Sequence, residues 1–495
     1  MTRPSLNRRL TTQDASFLYI DRPGQPMHGA WVGLYEGDLT LEHVTRVIAA
    51  RLYLVPRFRQ KVVFPPFGIA HPSWEDDPEF DIANHIVEET LPPPADDRAV
   101  ATAVGRLLAP QMDRNRPLWK MVLFRGRADG KTTVVTLVHH AMVDGVSGVD
   151  LLLVTHDLAP DSPAPAPGPP WEPAAMPDAL ALLQDAVRDQ LVESAQRWAD
   201  DAFRQFRPEE TARRAQRITN AMISSMPTFL QPAPLTPFNK SISRERDVAW
   251  AQFPFKEVRA VRSVLGGTVN DVVLAIIAGG LGRYLRHRGV HTDGLELRAM
   301  CPVSMRQTEG RGALGNQVSM MVAPLFVGIQ DPLERLTAER DAMERLKAQD
   351  QAGGFYALND QGNAMSPAVQ AFLGQFEAPN TLLNTVSTNI PGPQVPLYLG
   401  GHKLLAIIGF GMLSSNIGLF NAIGSYNQVL TIGVTVDPKQ VPDVWLYAEF
   451  LKDSFSELSE RVGHVAQVGN APSRVAPKQA PEVAPAGAKA GAARA

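Results

Sequence analysis

The sequence holds a single cysteine, Cys301, in 495 residues. One thiol excludes an intramolecular disulfide and a cysteine zinc cluster, and we read Cys301 as a small buried residue, not a nucleophile. Charge of neither sign is in excess: the net charge is −3 and the pI is near 6.4, so nothing marks a nucleic-acid partner. The N-terminus, MTRPSLNRRLTTQDAS, is polar and has no apolar segment of the secretory kind, which makes a cytoplasmic location the default expectation. No H-E-x-x-H zinc motif and no G-x-S-x-G elbow occurs. One uncharged run, Leu404 to Val436, is long enough to span a bilayer. Gly409, Gly411, Ser414, Asn416, Gly418, Asn421 and Gly424 interrupt it, and Tyr426 to Val436 alternates like a strand. We read it as buried sheet plus a mobile apolar loop, Phe410 to Ile423.

What the chain does contain is concentrated in residues 131–150. Thr132 to Val138 is a run of β-branched and apolar residues that predicts a buried strand. It ends at His139-His140, followed by Ala141-Met142-Val143 and Asp144-Gly145, and Val146 to Val154 then reads as the opening of a helix. Such a turn exposes its side chains at an edge or cleft. A neutral imidazole accepts a proton near pH 7. Placed against a hydroxyl, it can act as general base while that oxygen attacks a carbonyl. No Ser or Cys stands beside the pair, so the pattern favours direct transfer between two bound substrates over a covalent acyl-enzyme. Metal ligation is a second reading, but adjacent side chains on extended backbone point apart and can hardly reach one ion. Two histidines simply hydrogen-bonded at a strand end are the third.

The string His139-His140-x-x-x-Asp144-Gly145 resembles the signature of the CoA-dependent acyltransferase superfamily, which includes chloramphenicol acetyltransferase, carnitine acyltransferases and peptide-synthetase condensation domains. Within it, the chain resembles the bacterial wax ester synthase/diacylglycerol acyltransferase family. The supporting stretches run in that family's order: Asp14-Ala15-Ser16-Phe17, Pro56-Arg57-Phe58-Arg59, Pro117-Leu118-Trp119, the histidine string, Asn270-Asp271-Val272-Val273-Leu274-Ala275, Pro302-Val303-Ser304-Met305-Arg306, Leu314-Gly315-Asn316 and Asn389-Ile390-Pro391-Gly392-Pro393. The resemblance spans roughly residues 6–468.

The rest of the chain supplies the frame. Leu41 to Leu54 and Arg98 to Met112 have helical spacing, and Phe80 to Val87 is strand-like. His28 is read as structural, because nothing near it in sequence completes an acid/base set. Trp119 is read as core packing, and Pro56 to Lys61 as a solvated turn in preference to a CoA-phosphate site. Residues 159–177 are dense in proline and form a semi-rigid linker. Asp178 to Phe206 is a long amphipathic helix, read as packing on the body in preference to a membrane surface because its acids dilute its arginines. The expected division is 1–158, a linker with crossover helices over 159–245, 246–470, and a disordered tail over 471–495.

Thr268 is the predicted N-cap of a helix from Val269 to Arg286. Asn270 then falls in its first turn, where its amide could polarise a carbonyl or serve a local capping role; Asp271 is read as structural. A buried Asp144 needs a cationic partner, and Arg306, always charged and able to bind a carboxylate through two hydrogen bonds, is the candidate. The resemblance implies an α/β fold of two chloramphenicol-acetyltransferase-like domains facing each other across a tunnel. It also implies a fatty acyl transfer from acyl-CoA to a long-chain alcohol or diacylglycerol. His140 would be the base, His139 and Gly145 part of its turn, Asn270 the polarising group, and Pro117, Leu118, Trp119, Asp271, Arg306 and Asn389 supports. No metal or prosthetic group is required, and peripheral contact with a membrane or lipid droplet is expected. A carrier-protein thioester as donor, or a non-catalytic lipid-binding relative, are the alternatives.

Overall fold

The computed structural model describes residues 8–142, 148–205, 231–304, 318–349, 366–376 and 379–469, with positions 209, 212, 216, 219 and 351 besides. The first half runs α1 (Thr12–Ile20), β1 (His28–Tyr35), α2 (Leu41–Arg51), β2 (Gln60–Val63), β3 (Ser73–Asp76), β4 (Ile86–Thr90), α3 (Asp97–Leu108), β5 (Trp119–Arg125) and β6 (Thr132–His139). Two helices, α4 (Gly148–Thr155) and α5 (Ala179–Gln205), flank the proline-rich stretch. The second half begins with β7 (Asp247–Pro254), α6 (Phe255–Leu265), α7 (Val269–His287), β8 (Leu297–Ser304), β9 (Val318–Leu325), α8 (Pro332–Ala348) and α9 (Pro367–Gly374). It closes with β10 (Thr385–Pro391), β11 (Tyr398–Leu399), β12 (His402–Phe410), β13 (Leu419–Tyr426), β14 (Val429–Val436) and α10 (Val444–Gly469).

Twelve of these strands form two six-stranded mixed sheets, ordered β11-β12-β1-β6-β5-β4 and β7-β14-β13-β10-β8-β9, and β2 pairs with β3 alone. β4 and β5 are parallel in the first, and β10 is parallel to both β13 and β8 in the second. This is the two-sheet α/β architecture expected from the sequence. β6 is buried at every position, because its continuous apolar run has both faces covered. Val134 and Val138 face a core shared with α1 and α2, while Val135 and Leu137 face one shared with α3. In the second half α7 is apolar nearly all round and buried from Asp271 to Gly282, as the central helix of a core must be. Among the described residues no single helix is long and apolar enough to cross a membrane. The bent pair α6–α7, at 102°, owes its hydropathy to this core helix.

Two features depart from the sequence reading. Residues 398–410, expected within the C-terminal unit, belong to the first sheet: β12 pairs antiparallel with β1, Ala30 opposite Phe410 and Val32 opposite Ile408. Of the supposed mobile loop Phe410 to Ile423, Phe410 ends one strand and Leu419 to Ile423 open the next; residues 411–418 between them are a loop, but no residue from 402 to 427 is exposed. Its glycines are also points of close approach. A Cβ on Gly433 would lie 1.9 Å from the Gly409 carbonyl oxygen, and one on Gly411 would lie 2.2 Å from the Phe420 ring. There the two sheets meet backbone to backbone. A second join forms where α3 lies on β7, with Gly105 allowing the Arg246 carbonyl to approach. More locally, β4 starts only at Ile86; Ile82 to Asn84 form a 3-10 turn capped by the Asp81 side chain on the Ala83 N–H at 2.9 Å.

Candidate active site

The end of β6 is fixed by backbone before any side chain acts. The His139 N–H donates to the Leu118 carbonyl at 3.0 Å, and the His140 N–H donates to the Met27 carbonyl at 2.8 Å. The chain then turns through a 3-10 segment, His140 to Met142, and the two histidine rings diverge, as neighbours leaving a strand must. The His140 ring lies on Phe17 of α1, centroids 4.1 Å apart and tilted by 32°. Its Nδ1 is buried with no hydrogen-bond partner among the described residues. Burial, and next the neighbouring His139, push its pKa down to about 4, and its own backbone carbonyl is the one influence favouring the charged form. His140 is therefore a neutral proton acceptor at neutral pH.

His139 turns the other way. Its Nδ1 accepts the Ala141 N–H at 3.1 Å, so a neutral ring carries its proton on Nε2, which faces Asp21 Oδ2 at 3.5 Å. That distance is long for a hydrogen bond, so the contact is chiefly electrostatic. Burial lowers the His139 pKa and Asp21 opposes the shift. Asp21 itself is drawn down to about 2: burial would raise it, but His139 and Arg114 together prevail. His28, read as structural, sits opposite His139 in the β1–β6 register. Burial, and then His139, lower its pKa to about 4, and its Nε2 lies 3.4 Å from the Leu107 carbonyl.

Leu118 and Trp119 join this cluster through backbone. Trp119 is buried between Phe58 and His85, each with its ring centroid 4.6 Å away, and its indole N–H donates to the Phe58 carbonyl at 2.8 Å. Pro117 is buried beside them. On the second sheet, Thr268 caps α7 and shares a capping box with Asp271, which satisfies the helix end and leaves Asn270 out of that task. Asn389, at the C-terminal end of β10, donates from Nδ2 to Asn270 Oδ1 at 3.3 Å. Asn270 thus has its amide oxygen engaged by Asn389. The structure unites Asn270 with Asn389, and separately His139, His140 and the Leu118–Trp119 pair. Asp144, Gly145 and Arg306, and with them the Asp144–Arg306 ion pair, lie outside the described residues. Among the described residues no group of three His, Cys, Asp or Glu side chains could hold a metal ion. Sequence reasoning missed Asp21, Arg114 and the contact of Phe17 with His140. Phe17 lies in a quoted motif, whereas Asp21 and Arg114 carried no spacing signal.

Two mixed sheets sharing an exchanged strand, with a His-His turn at the end of a central strand, define a two-domain acyltransferase-like class. The first condensation domain of the calcium-dependent antibiotic synthetase has this fold, with TM-score 0.57 and 16% identity over 92% of this chain and 96% of that one. The wax ester synthase/diacylglycerol acyltransferase of Marinobacter aquaeolei VT8 superposes with TM-score 0.65 at 24% identity, covering 92% of this chain and 100% of its own. Residues 10–273 match the wax ester synthase/diacylglycerol acyltransferase catalytic domain, and residues 314–459 match the C-terminal domain of the same family. A putative diacylglycerol O-acyltransferase of Mycobacterium tuberculosis is 32% identical over 470 residues, covering 91% of this chain and 97% of the relative. A probable diacylglycerol O-acyltransferase of the same organism is 30% identical over 476 residues, covering 91% and 98%. The chain belongs to the wax ester synthase/diacylglycerol acyltransferase family.

Proposed function

We propose that this family member transfers a fatty acyl group from acyl-CoA to the hydroxyl of a long-chain alcohol or diacylglycerol, giving a wax ester or triacylglycerol, with His140 as general base. His140 takes the hydroxyl proton, and the oxygen attacks the thioester carbonyl. Asn270, positioned by Asn389, donates to the oxyanion that develops. The tetrahedral intermediate collapses, the C–S bond breaks, and the CoA sulfur leaves with the proton His140 had taken. Acyl-CoA is a substrate here, and the steps need no metal or prosthetic group. The observation that carries the reading is His140 itself: neutral, desolvated, held by backbone at a strand end, and with a ring nitrogen that has no partner among the described residues.

Contact with a lipid surface belongs to the same proposal, since the acceptor and product are lipids. α5 packs on the body through Arg8–Asp185 and Arg9–Asp189, with Leu182 and Ala186 buried. Leu180, Val187, Leu191 and Trp198 lie in a stripe on its opposite side, all exposed, Trp198 by 79%. α9, which packs on α1, likewise presents Val369, Phe372 and Leu373 to solvent. Between the two helices Phe67 stands 85% exposed at φ 62°. The apolar stretch 404–424, internal to the sheets, offers no such surface.

The test of activity is free-thiol release from palmitoyl-CoA with hexadecanol, with dioleoylglycerol and with neither, alongside His140→Ala. We expect release that depends on acceptor and falls about 10²–10⁴-fold in the variant; release indifferent to acceptor identifies a thioesterase instead. For the surface, flotation with phosphatidylcholine vesicles containing diacylglycerol should fall for Leu191→Ser/Trp198→Ser while soluble-substrate turnover holds. Unchanged flotation removes this face.

A further inference from the structure

Asp21 occupies a place that the proposed chemistry has not used. It closes α1 as its C-cap residue, and its side chain is almost fully buried. Oδ1 accepts the Met27 N–H at 3.3 Å. Oδ2 faces His139 Nε2 at 3.5 Å and receives Arg114 Nη2 at 3.0 Å. Arg114 in turn donates to the Leu18 carbonyl at 2.8 Å and the Asp21 carbonyl at 3.0 Å, so it finishes the same helix end, where a cation is favoured. The ties form a closed ring around the reactive turn. Met27 accepts from the His140 backbone and donates to Asp21; Asp21 faces His139; and the His139 Nδ1 accepts from Ala141, on the far side of His140. The helix that Asp21 closes also carries Phe17, on which the His140 ring rests. One carboxylate is therefore linked to Met27, the His139 ring and the helix carrying Phe17, three of the described elements that set the position of His140.

Burial makes this arrangement matter. A carboxylate removed from water is stable only when paired, and Arg114 provides the pairing from a different part of the chain. Moving the His139 proton to Nδ1, with the ring in place, would put a lone pair against the Asp21 carboxylate and a proton against the Ala141 N–H. Both contacts would become repulsive, so the carboxylate and the backbone amide select the same ring state. We propose that Asp21 is a positioning residue for the acyl transfer: anchored by Arg114, it holds His139 with its proton on Nε2 and thereby holds the turn that presents His140. This rests on the reading of His140 as the general base.

The experiment compares wild type with Asp21→Asn, Asp21→Glu, His139→Ala and the double variant Asp21→Asn/His139→Ala. Thiol release, thermal melting and ring-nitrogen NMR of ¹⁵N-histidine-labelled protein are read for each. A base misplaced by a fraction of an ångström loses roughly 10–100-fold in rate. We therefore expect Asp21→Asn to lower kcat by about that factor with KM for acyl-CoA and acceptor within about twofold, and Asp21→Glu to restore most of it. The double variant should be no slower than His139→Ala alone, because the two act as one unit. The His139 resonances, identified by their loss in His139→Ala, should show an Nε2-protonated ring in wild type and a shifted tautomer balance in Asp21→Asn. An unchanged kcat with an unchanged ring signal overturns the proposal. So do a rate loss that follows the folded fraction and fully additive effects of the two substitutions. The ring signal needs no turnover, so it separates this idea from the base assignment: if His140→Ala keeps its rate while Asp21→Asn still shifts the His139 ring, the base reading alone has failed.

Discussion

The two sheets each bring a polar group to the proposed chemistry, and they hold it in opposite ways. His140 sits at the end of a fully buried strand, tied by two consecutive backbone hydrogen bonds and pressed on an aromatic ring. Asn270 sits in the first turn of a helix whose capping is done by its neighbours, and its one described side-chain contact is a 3.3 Å hydrogen bond from the exposed Asn389. The proton acceptor is thus kept dry and still, and the amides are kept wetter and adjustable. The contrast follows from what each must do. A base is useful only in a fixed direction and protonation state, whereas a group that follows a carbonyl becoming tetrahedral gains from a small freedom to close on it.

That contrast can be broken by substitution. His140→Ala should have the largest effect, about 10²–10⁴ in kcat, because no other described side chain occupies its place. Asn270→Ala should follow at about 10²–10³ if its amide meets the oxyanion. Since Thr268 and Asp271 already cap α7, its melting temperature should barely move. A stable variant with wild-type kcat assigns Asn270 to local structure alone. Next comes pH. With His140 near 4, the acid limb of kcat/KM should fall about tenfold per pH unit only below that value, not near 6.5; a limb near 6.5 means His140 is better solvated than its surroundings indicate. Asn389→Ala, which reaches the reaction only through Asn270, should cost less than about tenfold.

Stability should follow the same burial. His28, His71, His140 and His156 are all lowered to about 4, desolvation being the first cause in each. Between pH 6.5 and 4 the unfolded chain takes up protons that the folded chain refuses. Stability is therefore complete above about 7 and falls through that window, by at most about 1.4 kcal/mol per pH unit for each histidine. Asp21 acts lower down: with its pKa near 2, its contribution is intact above 4 and lost only as pH falls from 4 towards 2.

Much of this was legible in the chain. A run of β-branched residues ending in two histidines can hardly be other than a buried strand, and Thr268 followed by Asp271 states a helix start through the capping geometry itself. Trp119 was rightly placed in the core. What local pattern does not encode is partnership across the chain. Nothing in His402 to Phe410 says that its neighbour is β1, and glycines that permit close backbone approach look the same as glycines that end a strand. Asp21 was invisible for the same reason, because one carboxylate gains meaning only from Arg114 and His139, which the fold brings to it.

The exchanged strand also has a consequence for how the chain is made. β1 is flanked by β6 on one side and by β12 on the other, and roughly 370 residues separate it from β12. At synthesis rates of roughly 5–20 residues per second, the first sheet waits on the order of 20–75 seconds for its last long strand. During that time the β1 edge is an open row of hydrogen-bonding groups, of the kind that recruits strands from other chains. The protein's most demanding moment thus falls on the ribosome, where the N-terminal sheet needs protection until β12 arrives.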